Sequence, residues 1–184
     1  LPSYYSGTSQ ADGSFVGFSD IQKTRTVVAL NYIETVIDVK FVLETDTTVL
    51  NSAKSLNTLS FGTNAQTNSA GYAFGPSTRS DGNDVFLNKT EADVKDLAEG
   101  TYGSQILIHE IGHALGLKHS FSGSSYSTET LPSILDGYPY SIMSYSAYPG
   151  ESGSYVNFNP TTPMLYDIAA VQYLYGANNN YNSG

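Results

Sequence analysis

The 184-residue sequence contains no cysteine. That absence excludes disulfides, thiolate zinc ligands and a nucleophilic thiol, and it leaves histidine and oxygen groups as the ordinary metal donors. Stability must therefore come from packing and from ions. Long apolar runs are also missing: none approaches the roughly 18 residues of a membrane span. The first residues lack the basic and apolar regions of a signal peptide, so secretion would have to be encoded outside these residues or by other means. Basic residues are few, 8 against 17 acidic, for a formal net charge of -9. Such a balance opposes condensation onto nucleic acid or an anionic membrane, where basic clusters supply the attraction. No internal repeat is evident. Histidine is almost absent as well, and all three copies fall within His109-Glu110-Ile111-Gly112-His113-Ala114-Leu115-Gly116-Leu117-Lys118-His119.

One domain is expected from this length and a hydrophobic content of 40%. The first eighteen residues read as an arm or partial strand, with a short extended stretch at 14–18. Ser19-Asp20-Ile21-Gln22 has the form of a capping box, and Val27, Leu30, Ile33 and Ile37 follow at helical spacing, which predicts a helix from Asp20 to Ile37 packed on a sheet. Residues 39–44, 58–62, 72–74 and 84–88 are β-prone stretches between turn-forming residues, and predict a small sheet. Thr101 or Ser104 can open a second helix that runs through Leu115, with Gly116 suited to the left-handed residue beyond its end. Residues 120–162 are rich in Ser, Gly, Tyr and Pro, and a structureless stretch of that length inside a domain is usually functional. Thr162-Pro163 opens a third helix with Leu165, Ile168, Val171 and Tyr175 as its buried stripe and Gly176 as its end.

The histidine cluster has the form HExxHxxGxxH. On a helix His109 and His113 lie one turn apart on one face, so both imidazoles can approach one Zn²⁺, while Glu110 emerges about 100° round the helix, able to reach a water. Gly116 breaks the helix and lets His119 return as third ligand, which leaves a fourth position open. A purely structural site would close that position with a fourth protein ligand. Zinc lowers the pKa of its water toward about 7 and polarises a carbonyl; Glu110 would take the water's proton and pass it to the leaving amine. The reaction implied is peptide-bond hydrolysis. The alternative is a catalytically silent zinc-binding module that uses its cleft to hold a protein partner.

The HEIGHALGLKH string, with Ser141-Ile142-Met143-Ser144-Tyr145 placed so that Met143 stands 24 residues after His119, resembles the metzincin metalloproteases. Their second hallmark is a methionine-containing turn beneath the zinc. Within the metzincins, residues 163–178 are similar to the closing helix and linker of the serralysins, secreted bacterial proteases, and weaker similarity runs through 18–41, 71–74 and 84–88. The resemblance implies an α+β, zincin-like catalytic domain over residues 1–176: a twisted, mostly parallel sheet, three main helices and an irregular lower lobe, with the zinc in the cleft. Residues 177–184 would form a linker that could lead to a C-terminal domain.

The same resemblance implies roles for individual residues. His109, His113 and His119 are the zinc ligands and Glu110 is the general base and acid. Tyr145 matches a tyrosine that sits on the zinc without substrate and then swings off to stabilise the oxyanion; an ordinary rim tyrosine is the alternative. Met143 is the structural floor of the site and no ligand. Asp167 either holds the Met-turn through backbone hydrogen bonds or stabilises its own helix end. Tyr72, Ala73 and Phe74 form either the sheet edge that binds an extended substrate or a buried strand, and residues 120–140 frame the pocket for the residue after the cleaved bond. The partners implied are protein or peptide substrates and a proteinaceous inhibitor, with the chain a monomer. Ser120 departs from the proline that serralysins commonly carry after the third histidine and matches matrixins, whereas Tyr145 argues against a matrixin and the lack of cysteine against an astacin. No glycine- and aspartate-rich nonapeptide repeat is present, so Ca²⁺ cannot be assigned to these residues.

Overall fold

The computed structural model describes Tyr5 and residues 14–45, 57–151 and 154–180. Helix α1 spans Asp20–Val36, and its start is the expected capping box: Gln22 N–H donates to Ser19 Oγ while Gln22 Oε1 accepts from Ser19 N–H. Of the expected stripe, Ile33 and Ile37 are buried and Leu30 packs against the core. Val27 is exposed, and the inward row runs through Gln22, Thr26 and Ile33 to Ile37 at the helix end. Two polar residues can face inward because both are satisfied: Gln22 Nε2 donates to Val94 O at 2.6 Å and Thr26 Oγ1 to Gln22 O at 2.8 Å.

Strands β1 (Val16–Gly17), β2 (Ser60–Asn64), β3 (Gly71–Ala73) and β4 (Asp84–Asn88) form one sheet in the order β1-β2-β4-β3. Pairing is parallel between β2 and β4 and antiparallel for β1 with β2 and β3 with β4. Among the described residues the sheet is thus mixed, correcting the expectation of a mostly parallel one. Residues 39–44 also form no strand. Within them Phe41 N–H donates to Glu34 Oε1 and Lys40 pairs with Glu34, while Val42 and Leu43 are 81% and 83% exposed. β propensity alone cannot make a strand without a neighbouring ladder, and none of the described residues supplies one.

β4 is buried along its length. Alternation sends Val85 and Leu87 to one face, where they join Ile33, Ile37, Leu107, Ile111 and Val171 in the main core. On the other face Phe86 meets Tyr5, Phe15 and Tyr72 in an aromatic layer, with ring centroids 5.1–6.3 Å from its own. A 3-10 turn at Ala92–Lys95 leads to helix α2, Tyr102–Ala114. From residue 115 to 164 the described chain contains neither helix nor strand, as expected of an irregular lower lobe.

Helix α3 spans Leu165–Tyr175, starting later than Thr162-Pro163 would place it. Its start is set by Asp167, whose Oδ2 reaches back to accept from Met164 N–H at 2.8 Å. Val171 is buried, but Leu165, expected in the stripe, is 63% exposed, and the one charged side chain of the helix, Asp167, is buried. After Gly176 the chain stays paired for two residues: Ala177 bridges Ile37, and Asn178 bonds to the carbonyls of Val36 and Glu34. No helix among the described residues is long and apolar enough to cross a membrane.

Candidate metal centre

Thr101 caps α2 by accepting from Ser104 N–H, and eleven of the helix's thirteen residues are buried, so the helix runs through the core rather than over it. It ends in a Schellman turn. Leu117 N–H donates to Gly112 O, Gly116 N–H to His113 O, and Gly116 takes φ +98°, where a β-carbon would be strained. The remaining end carbonyls are satisfied from outside: Asn83 Nδ2 donates to Ala114 O and Tyr175 OH to Leu115 O. This turn reverses the chain so that His119 returns to the face that carries His109 and His113.

One ring nitrogen from each of His109, His113 and His119 lies within 4.8 Å of the others. His113 Nε2 and His119 Nε2 are 3.1 Å apart, close to the roughly 3.3 Å separation of two tetrahedral ligands that each lie about 2.0 Å from a shared zinc ion. The tautomers are set by backbone. His109 Nδ1–H donates to Ile142 O and His113 Nδ1–H to Leu117 O, both at 2.8 Å, which leaves each Nε2 with its lone pair free for a cation. Burial and the neighbouring His113 push His109 down to about 3, and burial, His113 and Lys118 push His119 down to about 4; burial also lowers His113. All three rings are therefore neutral donors at physiological pH.

Glu110 is buried beside them, and burial raises its carboxyl to about 8. Its Oε2 is enclosed without a hydrogen bond to the protein. Burying an unsatisfied carboxylate oxygen is costly, and with three neutral imidazoles it makes a donor set that suits zinc and a water. Strand β3 passes over this carboxylate: a β-carbon on Gly71 would lie 2.9 Å from Glu110 Cγ and 3.0 Å from its Oε1.

The Met-turn lies beneath. Met143 is buried, with its Sδ where a β-carbon on Gly112 would come within 2.7 Å, so the glycine of the HEIGH segment makes room for the methionine. Of the two readings of Asp167, both hold at once. Its Oδ1 accepts from Ser141 Oγ at 2.6 Å and its Oδ2 from Ile142 N–H at 2.7 Å, besides the Met164 N–H that starts its own helix. Burial raises its carboxyl while these donors oppose the shift. Tyr145 OH is 2.8 Å from His119 Nε2, at the point where the imidazoles converge; burial, then Glu110, raise its phenol.

β3 is an edge strand in the observed order. Phe74 N–H and C=O bond to the β4 side, as does Ala70 O, so by alternation the backbone groups of Gly71 and Ala73 point to the open edge. Tyr72 is placed otherwise: its ring stacks on Phe86 at 5.1 Å on the outer face, and its hydroxyl accepts from Asn64 Nδ2. Several site residues carry no signal in the sequence pattern, including the carbonyls of Ile142 and Leu117. Ser120 does carry one. Its N–H donates to Met143 O and its Oγ to Asp136 Oδ1 at 2.6 Å, two bonds that a proline could not make, so the departure from the serralysin pattern ties the third histidine to the Met-turn and the loop. Lys118 Nζ gathers the carbonyls of His119, Ser122 and Glu129 in the same loop.

The family comparisons agree with this geometry. The Met-zincin family model matches residues 91–183, and the Matrixin family model matches residues 17–134, well over half of the chain. The chain belongs to the metzincins. Among curated relatives of this metzincin, Serralysin C of Dickeya chrysanthemi is 33% identical over 96% of the chain and 38% of the relative's own length, and Serralysin A of the same organism 32% identical over 96% and 37%. The chain thus spans under two-fifths of the curated relatives it matches. High choriolytic enzyme 1, a hatching enzyme zinc-protease from Oryzias latipes, aligns with a TM-score of 0.46 at 18% identity, covering 88% of this chain and 86% of that one. The matrixin match ends at residue 134, whereas the similarity to Serralysin C runs over 96% of the chain.

Proposed function

We propose that this chain is the catalytic domain of a secreted bacterial zinc endopeptidase of the serralysin kind. The observation that carries the reading is the convergence of three imidazoles, two of them with Nδ1–H committed to carbonyls, beside a buried carboxylate oxygen that the protein leaves unbonded. His109, His113 and His119 would hold zinc, which when bound polarises a carbonyl and acidifies a water. Glu110 removes the proton from the attacking water and delivers it to the leaving amine, a task suited by a carboxylate oxygen enclosed beside the imidazoles without a protein hydrogen bond. Tyr145, 57% exposed and so able to swing, rests against the triad and then donates its phenol hydrogen to the carbonyl oxygen as negative charge builds. The edge-facing groups of Gly71 and Ala73 pair with an extended peptide as an added strand, so Tyr72 and Phe74 contribute through the backbone course rather than through their rings.

The test is cleavage of casein or a fluorogenic peptide that stops when a chelator removes metal and returns with stoichiometric zinc. A chain that binds zinc and never cleaves would be the silent module instead.

A further inference from the structure

Beside the third histidine lies a residue to which neither the motif nor the proposed mechanism gives a task. Phe121 is 41% exposed, and its ring lies parallel to His119, with centroids 5.1 Å apart and planes 5° apart. The same ring is 4.9 Å from Tyr145, tilted by 55°. Tyr145 in turn meets His119 edge-on at 4.6 Å, with its hydroxyl 2.8 Å from His119 Nε2. The three rings close a triangle in which every side lies within the range of favourable aromatic pairing.

We propose that Phe121 is a positioning residue that holds His119 and Tyr145 against each other across the metal site. The proposal rests on the reading of His119 as a metal ligand. His109 and His113 have backbone carbonyls to fix their rings. His119 sits outside the helix, in a reversed segment, and what meets its ring is the Phe121 face, the Tyr145 ring and the Tyr145 hydroxyl at its Nε2. Phe121 covers one face of the imidazole and Tyr145 meets it from another direction, so loss of Phe121 frees two side chains together.

Zinc affinity by chelator competition tests this, together with the visible spectrum of the Cu²⁺-loaded protein, in which a copper-bound phenolate absorbs. The variants are Phe121→Ala, Phe121→Leu, Phe121→Tyr and Tyr145→Phe. Phe121→Ala is expected to weaken zinc binding about fivefold, the scale of one or two aromatic pairs, and to reduce the phenolate band. Phe121→Tyr should restore both, and Phe121→Leu, which keeps bulk without the ring, should fall short of wild type. An unchanged melting temperature of the metal-free variants separates positioning from folding. Wild-type zinc affinity and spectrum in Phe121→Ala, or full rescue by leucine, would overturn the proposal while the zinc site stands. Failure of the wild type to bind zinc would overturn the metal reading and this one with it. A spectrum that is the same in Tyr145→Phe would remove the tyrosine from the metal, and the zinc affinities alone would then decide the role of Phe121 toward His119.

Discussion

His109 and His113 take their spacing from helix α2, whereas Met143, Tyr145 and Phe121 reach the same site from a stretch without helix or strand. In the helical half, position follows from a 3.6-residue repeat whose backbone bonds are made many times over. In the irregular half, position depends on a few particular contacts: Asp167 to Ser141 and Ile142, Ser120 to Asp136 and Met143, and Lys118 to three carbonyls. The lesson is that the two halves should respond differently to substitution. Chemistry in the first half can be removed without loss of structure, while in the second half the buried contacts that place the reacting groups also hold the fold.

The sharpest contrast is Glu110→Gln. Replacing the proton carrier within an intact helix is expected to lower turnover about 10²- to 10⁴-fold with zinc content unchanged, checked by peptide cleavage and metal analysis on one preparation. Tyr145→Phe probes the irregular half at its reacting end: turnover should fall about 10²- to 10³-fold, again with zinc retained. Asp167→Ala would break the comparison if it behaved like those two. It strands the Ser141 hydroxyl and the Ile142 and Met164 amides in a buried site, so a loss of about 2–5 kcal/mol in urea unfolding is expected. Zinc affinity should fall with it, because Ile142 also orients His109. Gly112→Ala joins the halves: the new methyl meets Met143 Sδ, and a flexible thioether can give way, so a cost of about 1–2 kcal/mol is expected.

The metal-free protein should show a pH signature of its own. His109 and His119 are held at about 3 and about 4 when folded, below the free value of 6.5. As pH falls below 6.5 the unfolded chain gains protons that the folded chain refuses, so their contribution to stability is lost on the way down to about 3. Glu110 acts in the opposite sense. Held at about 8 against 4.5 unfolded, it keeps a proton when folded that the unfolded chain has released, so stability falls as pH rises from 4.5 through 8. Above 6.5 the glutamate dominates this set. Urea titrations should therefore show metal-free wild type losing stability between pH 6.5 and 8, and Glu110→Gln should flatten that limb.

The helical half was legible in the sequence because its signals are local. A capping box, two histidines four apart and a glycine just past a helix end each specify a backbone geometry within one or two turns. Strand Asp84–Asn88 was legible for the same reason, as a short apolar run between turn residues. Misreadings came where distant partners decide. Residues 39–44 have the composition of a strand without a ladder among the described residues. Gln22 and Thr26 face inward because Val94 and a helix carbonyl satisfy them. Leu165 has the spacing of the stripe but stands at the first position of α3, exposed, and Asp167 rather than Pro163 marks that start. Met143 and Tyr145 were reached only through family resemblance, and Phe121, next but one to a ligand, is marked by nothing except where its ring comes to lie.

X-ray absorption and anomalous diffraction at the zinc edge on the zinc-loaded protein test the central claim most directly. The account predicts one ion held by a ring nitrogen from each of His109, His113 and His119, with Glu110 close but not coordinated and Met143 beneath without a sulfur bond. An ion bound elsewhere, a coordination shell that includes the Glu110 carboxylate, or one that lacks any of the three imidazoles would contradict it.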